Sequence, residues 1–226
     1  MTTPSGHMEV SGPSGRPLEW TMIGRPHYNE VVSGDAWALL GPEDCQTFVM
    51  VDGAGHGPMA NAAASRAIES ISRGIKEDVA RPLQRLMREC HVALAGTRGA
   101  AVALLRVEPR QGISSFCGVG NIASALLPKK HNSGISLPGT VGYRIPTVRV
   151  FDSPFVPGDV WWLWTDGLSS RMATERFHSE PTHVAARRAL AEFGRREDDA
   201  TVMVLRFATR APISITPMTP VEPSGV

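Results

Sequence analysis

The stretch FVMVDGAGHGPMANAAAS, residues 48–65, restricts the fold of this chain more than any other part of the sequence. An apolar run ends in Asp52-Gly53, alternate glycines follow, and an alanine-rich segment begins behind Pro58. Proline suits the first turn of a helix, and apolar residues then recur at helical spacing as far as Ile75. The stretch therefore predicts a buried strand that turns sharply into a helix.

A glycine-rich turn between a strand and a helix is also typical of dinucleotide-binding folds. Their GxGxxG motif would place its third glycine at position 58, which is Pro58 here. The sequence contains no GxxxxGK[ST] phosphate-binding loop either. Nucleotide binding is therefore disfavoured, and the alternative is that Asp52 holds a metal ion.

Apolar patterns elsewhere predict two more helices and a series of strands. The helices cover about 78–95 and 179–194. The strands cover 36–40, 46–51, 100–107, 113–120, 122–127, 147–151, 159–167 and 200–207. Consecutive strands after the second helix predict an antiparallel meander. Because strands and helices are grouped rather than alternating, the order indicates an α+β layered domain and not a βαβ repeat.

The chain of 226 residues, 42% of them hydrophobic, has room for one domain with a sizeable core. Residues 1–17 are mostly Gly, Ser, Pro and Thr and predict a disordered lead. Residues 18–209 then form the folded domain. Residues 210–226 contain several prolines and predict a flexible tail rich in Pro, Ser and Thr.

Composition narrows the partners. A net charge of +1, spread along the chain, gives no basic tract for nucleic acid. No apolar stretch approaches the ~20 residues that cross a bilayer, so we expect no membrane insertion. The cysteines Cys45, Cys90 and Cys117 are odd in number and form no CxxC pair, which disfavours a disulfide framework and a zinc ribbon. A cytoplasmic protein is the expectation.

Acidic residues mark the ends of the predicted strands. Asp52 and Asp166 each follow an apolar run and precede a glycine, whereas Asp35 and the pair Asp198-Asp199 come just before other strands. In an antiparallel sheet the start of one strand lies beside the end of its neighbour. The sequence therefore predicts that these acids gather at one edge. Taken singly, each Asp also fits ordinary turn chemistry, in which its side chain bonds to the backbone.

The first hairpin allows a test of this idea by counting. If Gly41 pairs with Gln46 across the turn, Asp35 lies directly opposite Asp52. Opposite residues share a face, with Cβ atoms about 5 Å apart. Two carboxylates at that distance repel unless one is protonated or a cation lies between them. Oxygen ligands of this kind suit Mg²⁺ or Mn²⁺, and the absence of HxH and HExxH argues against zinc.

Seven blocks of the sequence together resemble the PPM-type (type 2C) metal-dependent protein phosphatases, specifically their bacterial SpoIIE-like branch. They occur in the order typical of that family, span about 35–207, and read SGDAWALL, FVMVDGAGHGPMANAAAS, TRGAAVALLRV, FCGVGNIASALL, LPGTVGYRIP, LWTDGL and EDDATVMVLR. The resemblance implies a β-sandwich of two antiparallel sheets flanked by helices in αββα layers. The short chain is similar to the stand-alone phosphatases of the stressosome, which implies a phosphorylated STAS-domain signalling protein of a partner-switching cascade as substrate.

The resemblance also implies roles for the acids. Asp52 would bridge two Mn²⁺ or Mg²⁺ ions, the carbonyl of Gly53 would bind one of them, and Asp166 and Asp198 would be further ligands. Asp199 stands where many eukaryotic members carry Asn, and Asp35 matches an acid that often acts through bound water. These residues would support hydrolysis of a phosphate monoester by metal-bound water, without a covalent phosphoenzyme.

His56 carries two interpretations of equal weight. It could donate a proton to the leaving serine oxygen, or it could cap the helix that begins near Pro58. For the protein as a whole, the alternative to an enzyme is a catalytically silent PPM fold that binds a regulatory partner as a scaffold. The intact acids disfavour a scaffold, because a binding module has no need to hold repelling carboxylates together. A two-metal nuclease is disfavoured by the lack of a basic groove signature.

The tryptophans of the run DVWWLW could pack in the core or form a platform that binds substrate. Trp161 and Leu163 alternate with Trp162 and Trp164, so in a strand one pair faces the sheet sandwich and the other faces helices. We expect these tryptophans to form core rather than a substrate platform.

Overall fold

The computed structural model describes residues 8–11, 18–128, 134–145 and 147–208. In these ranges the helices are α1 (Gly57–Glu77), α2 (Leu83–Ala93) and α3 (Thr182–Phe193), with a short 3₁₀ turn at Thr174–Phe177. The strands are β1 (Met8–Ser11), β2 (Leu18–Arg25), β3 (Asp35–Leu40), β4 (Gln46–Gly53), β5 (Ala100–Glu108), β6 (Ile113–Val119), β7 (Ala123–Leu127), β8 (Ser136–Leu137), β9 (Phe151–Pro154), β10 (Val160–Trp164) and β11 (Ala200–Phe207).

The strands form two sheets. One has the order β1-β2-β11-β10-β7, and the other has the order β3-β4-β5-β6-β8, with β9 also paired to β6. Neighbouring strands are antiparallel except for β6 and β8, which share a two-residue parallel pairing. The predicted α+β class with two antiparallel sheets is confirmed, apart from this short parallel contact.

Period-two alternation along the strands builds the layers. In β4, Phe48 and Met50 face the core between the sheets, whereas Val49 and Val51 face a second core beneath α1 and α2. A third core lies between α3 and the outer face of the other sheet. Burying each large apolar side chain contributes roughly 1.5–3 kcal/mol. The result is the predicted four-layer αββα arrangement.

The tryptophans of β10 follow the predicted alternation. Trp161 and Leu163 lie in the core between the sheets, and Trp162 and Trp164 lie in the core under α3. Trp161 stacks on Phe116 with ring centroids 6.0 Å apart, and its indole N–H donates to Ser114 Oγ at 3.0 Å. The expectation that they are core residues is confirmed.

Several predicted elements need correction. No strand forms over 147–150; β9 starts at Phe151, because Val148 and Val150 pack into the helix-side core instead of joining a ladder. The predicted meander is interrupted after β6, since β7 crosses to the other sheet and pairs with β10. Strand β2 was not predicted at all, because its sequence LEWTMIGR mixes polar and apolar residues without clear alternation.

The expected disordered lead also differs in part. Within residues 1–17, Met8–Ser11 pairs antiparallel with β2, so backbone pairing organises a segment that has little apolar content. The predicted tail 210–226 lies outside the described residues. Among the described residues, no helix is both long enough and apolar enough to cross a membrane.

Candidate metal centre

The predicted pairing of the first two acids is confirmed. Asp35 opens β3 and lies directly opposite Asp52 of β4, in the register obtained by counting from the turn. Directly opposite residues of a sheet share a face. One hairpin therefore delivers two of the predicted acids to the same edge.

Asp35 is buried and linked to the second sheet. Its Oδ2 accepts a hydrogen bond from Thr165 Oγ1 at 2.9 Å, and Thr165 Oγ1 in turn accepts from the backbone N–H of Thr201 at 2.9 Å. Burial raises the pKa of Asp35 to about 7, and the charges of Asp199 and Asp198 add to the rise against the hydrogen bonds from Thr201 and Thr165. Thr165 thus holds the two sheets together beside the acids.

Asp52 lies among other carboxylates. The pKa of Asp52 is raised to about 9, and burial is the largest cause. The charges of Asp35, Asp166 and Asp198 and a hydrogen bond with Asp166 add to the rise. Asp52 and Asp166 thus lie close enough for their charges to interact, although they belong to different sheets.

Asp166 follows β10 and is exposed at the surface. Its Oδ2 accepts a hydrogen bond from Asn121 Nδ2 at 2.6 Å. Asn121 follows β6, so it approaches Asp166 from the other sheet. This contact fixes the orientation of a carboxylate that would otherwise move freely in solvent.

Asp198 and Asp199 differ although they are adjacent. Asp198 is half-buried, and burial, together with the charge of Asp166, raises its pKa. Asp199 is buried, and its Oδ1 accepts from the backbone N–H of His27 at 2.9 Å. A Cβ built on Gly34 would lie 2.7 Å from Asp199 Oδ2, so only glycine fits there. The carboxylate of Asp199 thus faces the loop of residues 26–34.

Gly53 is required by close packing. A side chain there would overlap the backbone carbonyl of Ala60 in α1, and the Gly53 N–H donates to the carbonyl of Gly34 at 3.1 Å. Two residues later, Gly55 has φ +87°, a conformation that L side chains rarely adopt. These glycines let β4 turn directly into α1 beside Asp52.

A cleft of about 580 Å³ opens between the ends of the two sheets. Three of the predicted acids line it, namely Asp52, Asp166 and Asp198, while Asp35 and Asp199 lie buried outside its lining. The rest of the wall is small or polar and consists of Ala54, Gly55, Ala100, Ala101, Gly120, Asn121, Ser136, Pro138, Gly139 and Thr140. The cleft can therefore admit a small polar group to the three acids.

His56 does not line this cleft. It occupies the N-cap position of α1, but its side chain makes no capping hydrogen bond, which corrects the helix-capping interpretation. Its Nδ1 pairs with Glu30 Oε1 at 2.7 Å, and its ring stacks on His27 with centroids 4.5 Å apart. The ring nitrogen Nδ1 is thus paired with Glu30 and not with a backbone N–H of the helix.

The acids in the cleft and those buried beside it suit a divalent cation that prefers oxygen ligands. Asp35 Oδ1 and Asp199 Oδ2 are buried and accept no hydrogen bond from any described residue. A buried carboxylate oxygen without a partner is costly, and a metal ion or its bound water would supply one. Across the described part of the chain, no three Asp, Glu, His or Cys side chains already stand as a finished ligand set. The argument for a divalent cation therefore rests on the oxygen ligands that these acids offer and on the unpartnered oxygens of Asp35 and Asp199.

Sequence reasoning missed the residues that hold the acids in place. Asn121 follows the apolar strand β6, the same strand-end signal that singled out the aspartates, and Thr165 directly precedes Asp166. Both were therefore detectable as polar residues at strand ends. His27 contributes a backbone N–H, which no side-chain pattern can reveal.

Comparison with known proteins adds a second line of evidence. The family model for stage II sporulation protein E (SpoIIE) matches residues 42–208. Phosphoserine phosphatase RsbX of Bacillus subtilis (strain 168) is 24% identical over 140 residues, which cover 61% of this chain and 68% of that protein.

Solved structures agree with the fold. A chain from the work "The bacterial stressosome: a modular system that has been adapted to control secondary messenger signaling" is 31% identical, with a TM-score of 0.76 over 84% of this chain and 99% of that chain. RsbX in complex with magnesium is 16% identical, with a TM-score of 0.77 over 89% of this chain and 100% of that chain.

Proposed function

The chain belongs to the stage II sporulation protein E (SpoIIE) family, and we propose that it is a metal-dependent protein serine/threonine phosphatase. The reaction is hydrolysis of the phosphate monoester of a phosphoserine or phosphothreonine side chain. The observation that carries the proposal is the meeting of Asp52, Asp166 and Asp198, from both sheets, in one cleft. An assembly of repelling carboxylates is maintained in a fold when a cation offsets the repulsion.

Two Mn²⁺ or Mg²⁺ ions would be held by Asp52, Asp166 and Asp198 together with the carbonyl of Gly53. Asp35 and Asp199, each with a buried unpartnered oxygen, would complete the site from behind the cleft. When bound, such ions supply positive charge to phosphoryl oxygens and lower the pKa of bound water. Asn121 keeps the carboxylate of Asp166 turned into the site, and Thr165 keeps that of Asp35 in place.

His56 remains the proposed proton donor to the leaving serine oxygen. Glu30 engages Nδ1 at 2.7 Å, so Nε2 is the nitrogen not occupied by that pairing. A carboxylate on one imidazole nitrogen fixes which ring nitrogen faces the other way. If His56 acts in this way, His56→Ala lowers kcat strongly, whereas Glu30→Gln, which keeps the imidazole, lowers it less.

A covalent mechanism with Cys90 or Cys117 as nucleophile is disfavoured, because both thiols are buried in the hydrophobic cores. Burial raises the pKa of Cys90 and of Cys117 to about 12, so neither thiol is ionised near neutral pH. The thiolate is the nucleophilic form of cysteine. Hydrolysis by water agrees better with this environment than attack by either thiol.

The proposed substrate is a phosphorylated STAS-domain protein of a cytoplasmic partner-switching cascade. Two relatives support this choice: one is named a phosphoserine phosphatase, and the 31% identical chain comes from work on the bacterial stressosome. Phosphoproteomics of a strain that lacks the gene tests it. A rise in phosphorylation of a STAS domain supports the assignment, and unchanged STAS phosphosites would remove it while leaving the enzyme class intact.

The enzyme class is tested with p-nitrophenyl phosphate. The chelator-treated protein is assayed before and after addition of Mn²⁺ or Mg²⁺, beside Asp52→Asn and the control Asp44→Asn. Asp44 is exposed in the turn at the other end of the β3–β4 hairpin. We expect metal-dependent turnover that Asp52→Asn abolishes and Asp44→Asn retains. Absence of turnover at every metal concentration would instead favour a non-catalytic scaffold.

A further inference from the structure

We infer that Arg98 binds the phosphate group of the substrate at the rim of the acidic cleft. The inference rests on the proposed phosphatase function and adds a residue that recognises the substrate. Arg98 lies in the loop between α2 and β5, and β5 begins with the cleft residue Ala100. Its position therefore brings a cation to the same edge as the acids.

The backbone on both sides of Arg98 is fixed. Thr97 Oγ1 donates to the carbonyl of Leu94 at 2.7 Å and accepts from the N–H of Gly99 at 3.0 Å. The carbonyl of Gly99 accepts from the N–H of Ala54, also at 3.0 Å. Because Ala54 lines the cleft two residues after Asp52, the loop that carries Arg98 is attached directly to the cleft wall.

The guanidinium group of Arg98 does not line the cleft itself but lies beside Gly55, which does. A Cβ built on Gly55 would lie 2.9 Å from Arg98 Nη1, and Gly55 is part of the cleft wall. The absence of a side chain at Gly55 thus leaves the space that the guanidinium occupies. Arg98 therefore lies at the rim of the cleft, next to the backbone of Gly55.

The charge of Arg98 is not used elsewhere in the described structure. Its side chain is exposed and makes no ion pair or hydrogen bond with a described residue. Some other arginines are engaged: Arg81 pairs with Glu77 and Glu89, and Arg25 donates to the carbonyl of Asp198 at 3.1 Å. The N–H donors of Arg98 are instead available to an anion that enters the cleft.

A phosphate monoester fits this arrangement. The substrate phosphate is an anion that must enter a cleft lined by Asp52, Asp166 and Asp198, whose charges repel it. A guanidinium at the rim offsets this repulsion and donates two parallel N–H bonds to phosphate oxygens. Such a residue favours phosphate anions over uncharged esters.

The experiment compares Arg98→Met, Arg98→Lys and the control Arg110→Met. Arg110 is exposed in the turn at the far end of β5, roughly 30 Å away for a strand of this length. Binding of inorganic phosphate to the Mn²⁺-loaded protein is measured by calorimetry, and KM and kcat are measured with p-nitrophenyl phosphate. Titration of Mn²⁺ alone and the thermal midpoint report on the metal site and on folding.

We expect Arg98→Met to weaken phosphate binding and to raise KM by about 10-fold or more, as loss of a charged hydrogen bond does. Arg98→Lys retains part of the affinity, because an ammonium keeps the charge without the planar fork. Mn²⁺ affinity and thermal midpoint stay near those of the wild type, and Arg110→Met binds phosphate normally.

Two results would overturn the inference. One is phosphate affinity of Arg98→Met within about 2-fold of the wild type, which would make Arg98 an ordinary solvated residue. The other is an equal loss of Mn²⁺ and phosphate affinity, which would assign Arg98 to support of the metal centre. Failure of the proposed function is distinguishable, because it removes wild-type turnover while the phosphate titration still compares the variants.

Discussion

The chain uses Asp-Gly twice beside the cleft, and the two copies differ in their surroundings. Asp52-Gly53 ends β4 in one sheet, and Asp166-Gly167 follows β10 in the other. Asp52 is half-buried, and burial together with the charges of neighbouring acids raises its pKa to about 9. Asp166 is exposed and held by Asn121. The same dipeptide thus produces one half-buried and one exposed carboxylate in a single cleft.

The glycines are the part that the two copies share. A side chain at Gly53 would overlap the carbonyl of Ala60, and one at Gly167 would overlap the carbonyl of Asp199. In both places another backbone passes where a Cβ would lie. Turn chemistry alone does not require such close approach. Asp-Gly here serves to bring each aspartate against a neighbouring element, and that is how two sheets can share one acidic cleft.

The largest expected effect separates the two aspartates. Asp52→Asn should lower kcat/KM by roughly 1,000-fold or more, because its carboxylate would contribute several kcal/mol through the proposed metal site. Asp166→Asn should lose as much activity at low Mn²⁺ but recover part of it at high Mn²⁺, since its carboxylate is exposed. Activity is measured across a Mn²⁺ titration. Identical curves for the two variants would contradict the proposed difference between a half-buried and an exposed metal ligand.

The next prediction tests the shared role of the glycines. Gly53→Ala and Gly167→Ala should each lower the free energy of unfolding by about 3 kcal/mol, near the upper end for overpacking, because the new methyl group meets backbone. The control is Gly158→Ala. Gly158 has φ +97° and no atom within 4 Å of an added Cβ, so only backbone strain of about 1–2 kcal/mol applies. Urea denaturation compares the three, and equal losses would show that packing is not the cause.

A third, smaller effect concerns pH in the metal-free protein. A carboxyl whose pKa is higher when folded than when unfolded holds an extra proton in the folded state, so stability falls as pH rises between the two values. For Asp35 this window runs from 3.8 to about 7, and for Asp52 from 3.8 to about 9. With chelator present, the thermal midpoint should therefore fall by several degrees between pH 6 and pH 8.5.

Removing the Asp52 carboxylate and adding Mn²⁺ should each weaken this fall of the thermal midpoint with pH. Asp52→Asn cannot ionise, so its metal-free thermal midpoint should exceed that of the wild type at pH 8.5. Mn²⁺ should raise the wild-type midpoint more at pH 8.5 than at pH 6, because protons compete with the metal for the same oxygens. A wild-type midpoint that rises with pH in chelator would show that the acids do not repel as described.

The local parts of this site could be predicted, and the parts set by tertiary contact could not. Counting from the turn gave the correct opposition of Asp35 and Asp52, because hairpin register follows from loop length. Strand β11 was predicted at its observed bounds, since its apolar run is buried nearly throughout. In contrast, the segment around Val148 was misassigned, because an apolar run that packs under helices looks the same in sequence as a strand.

The supporting residues show the same limit. Strand ends located the acids, but sequence could not tell which of them would line the cleft and which would be buried. Asp198 and Asp199 are adjacent, yet only Asp198 lines the cleft, because the N–H of His27 holds Asp199 on the other side. That contact joins residues 172 positions apart, which no local pattern encodes.

The smallest predicted effect concerns the hydrogen bond between Asn121 and the exposed carboxylate of Asp166. Asn121→Ala removes the hydrogen bond from Nδ2 to Asp166 Oδ2, so the carboxylate gains rotational freedom. Because this pair is exposed, the loss should correspond to about 1 kcal/mol, or roughly 5–10-fold in kcat/KM. This loss of activity should shrink as the Mn²⁺ concentration is raised, since metal binding then orders the carboxylate. The double variant Asp166→Asn/Asn121→Ala should be no less active than Asp166→Asn alone. An additive double variant would mean that Asn121 acts on the substrate independently of Asp166, and Asp166 would then reach its position through β10 and Gly167 alone.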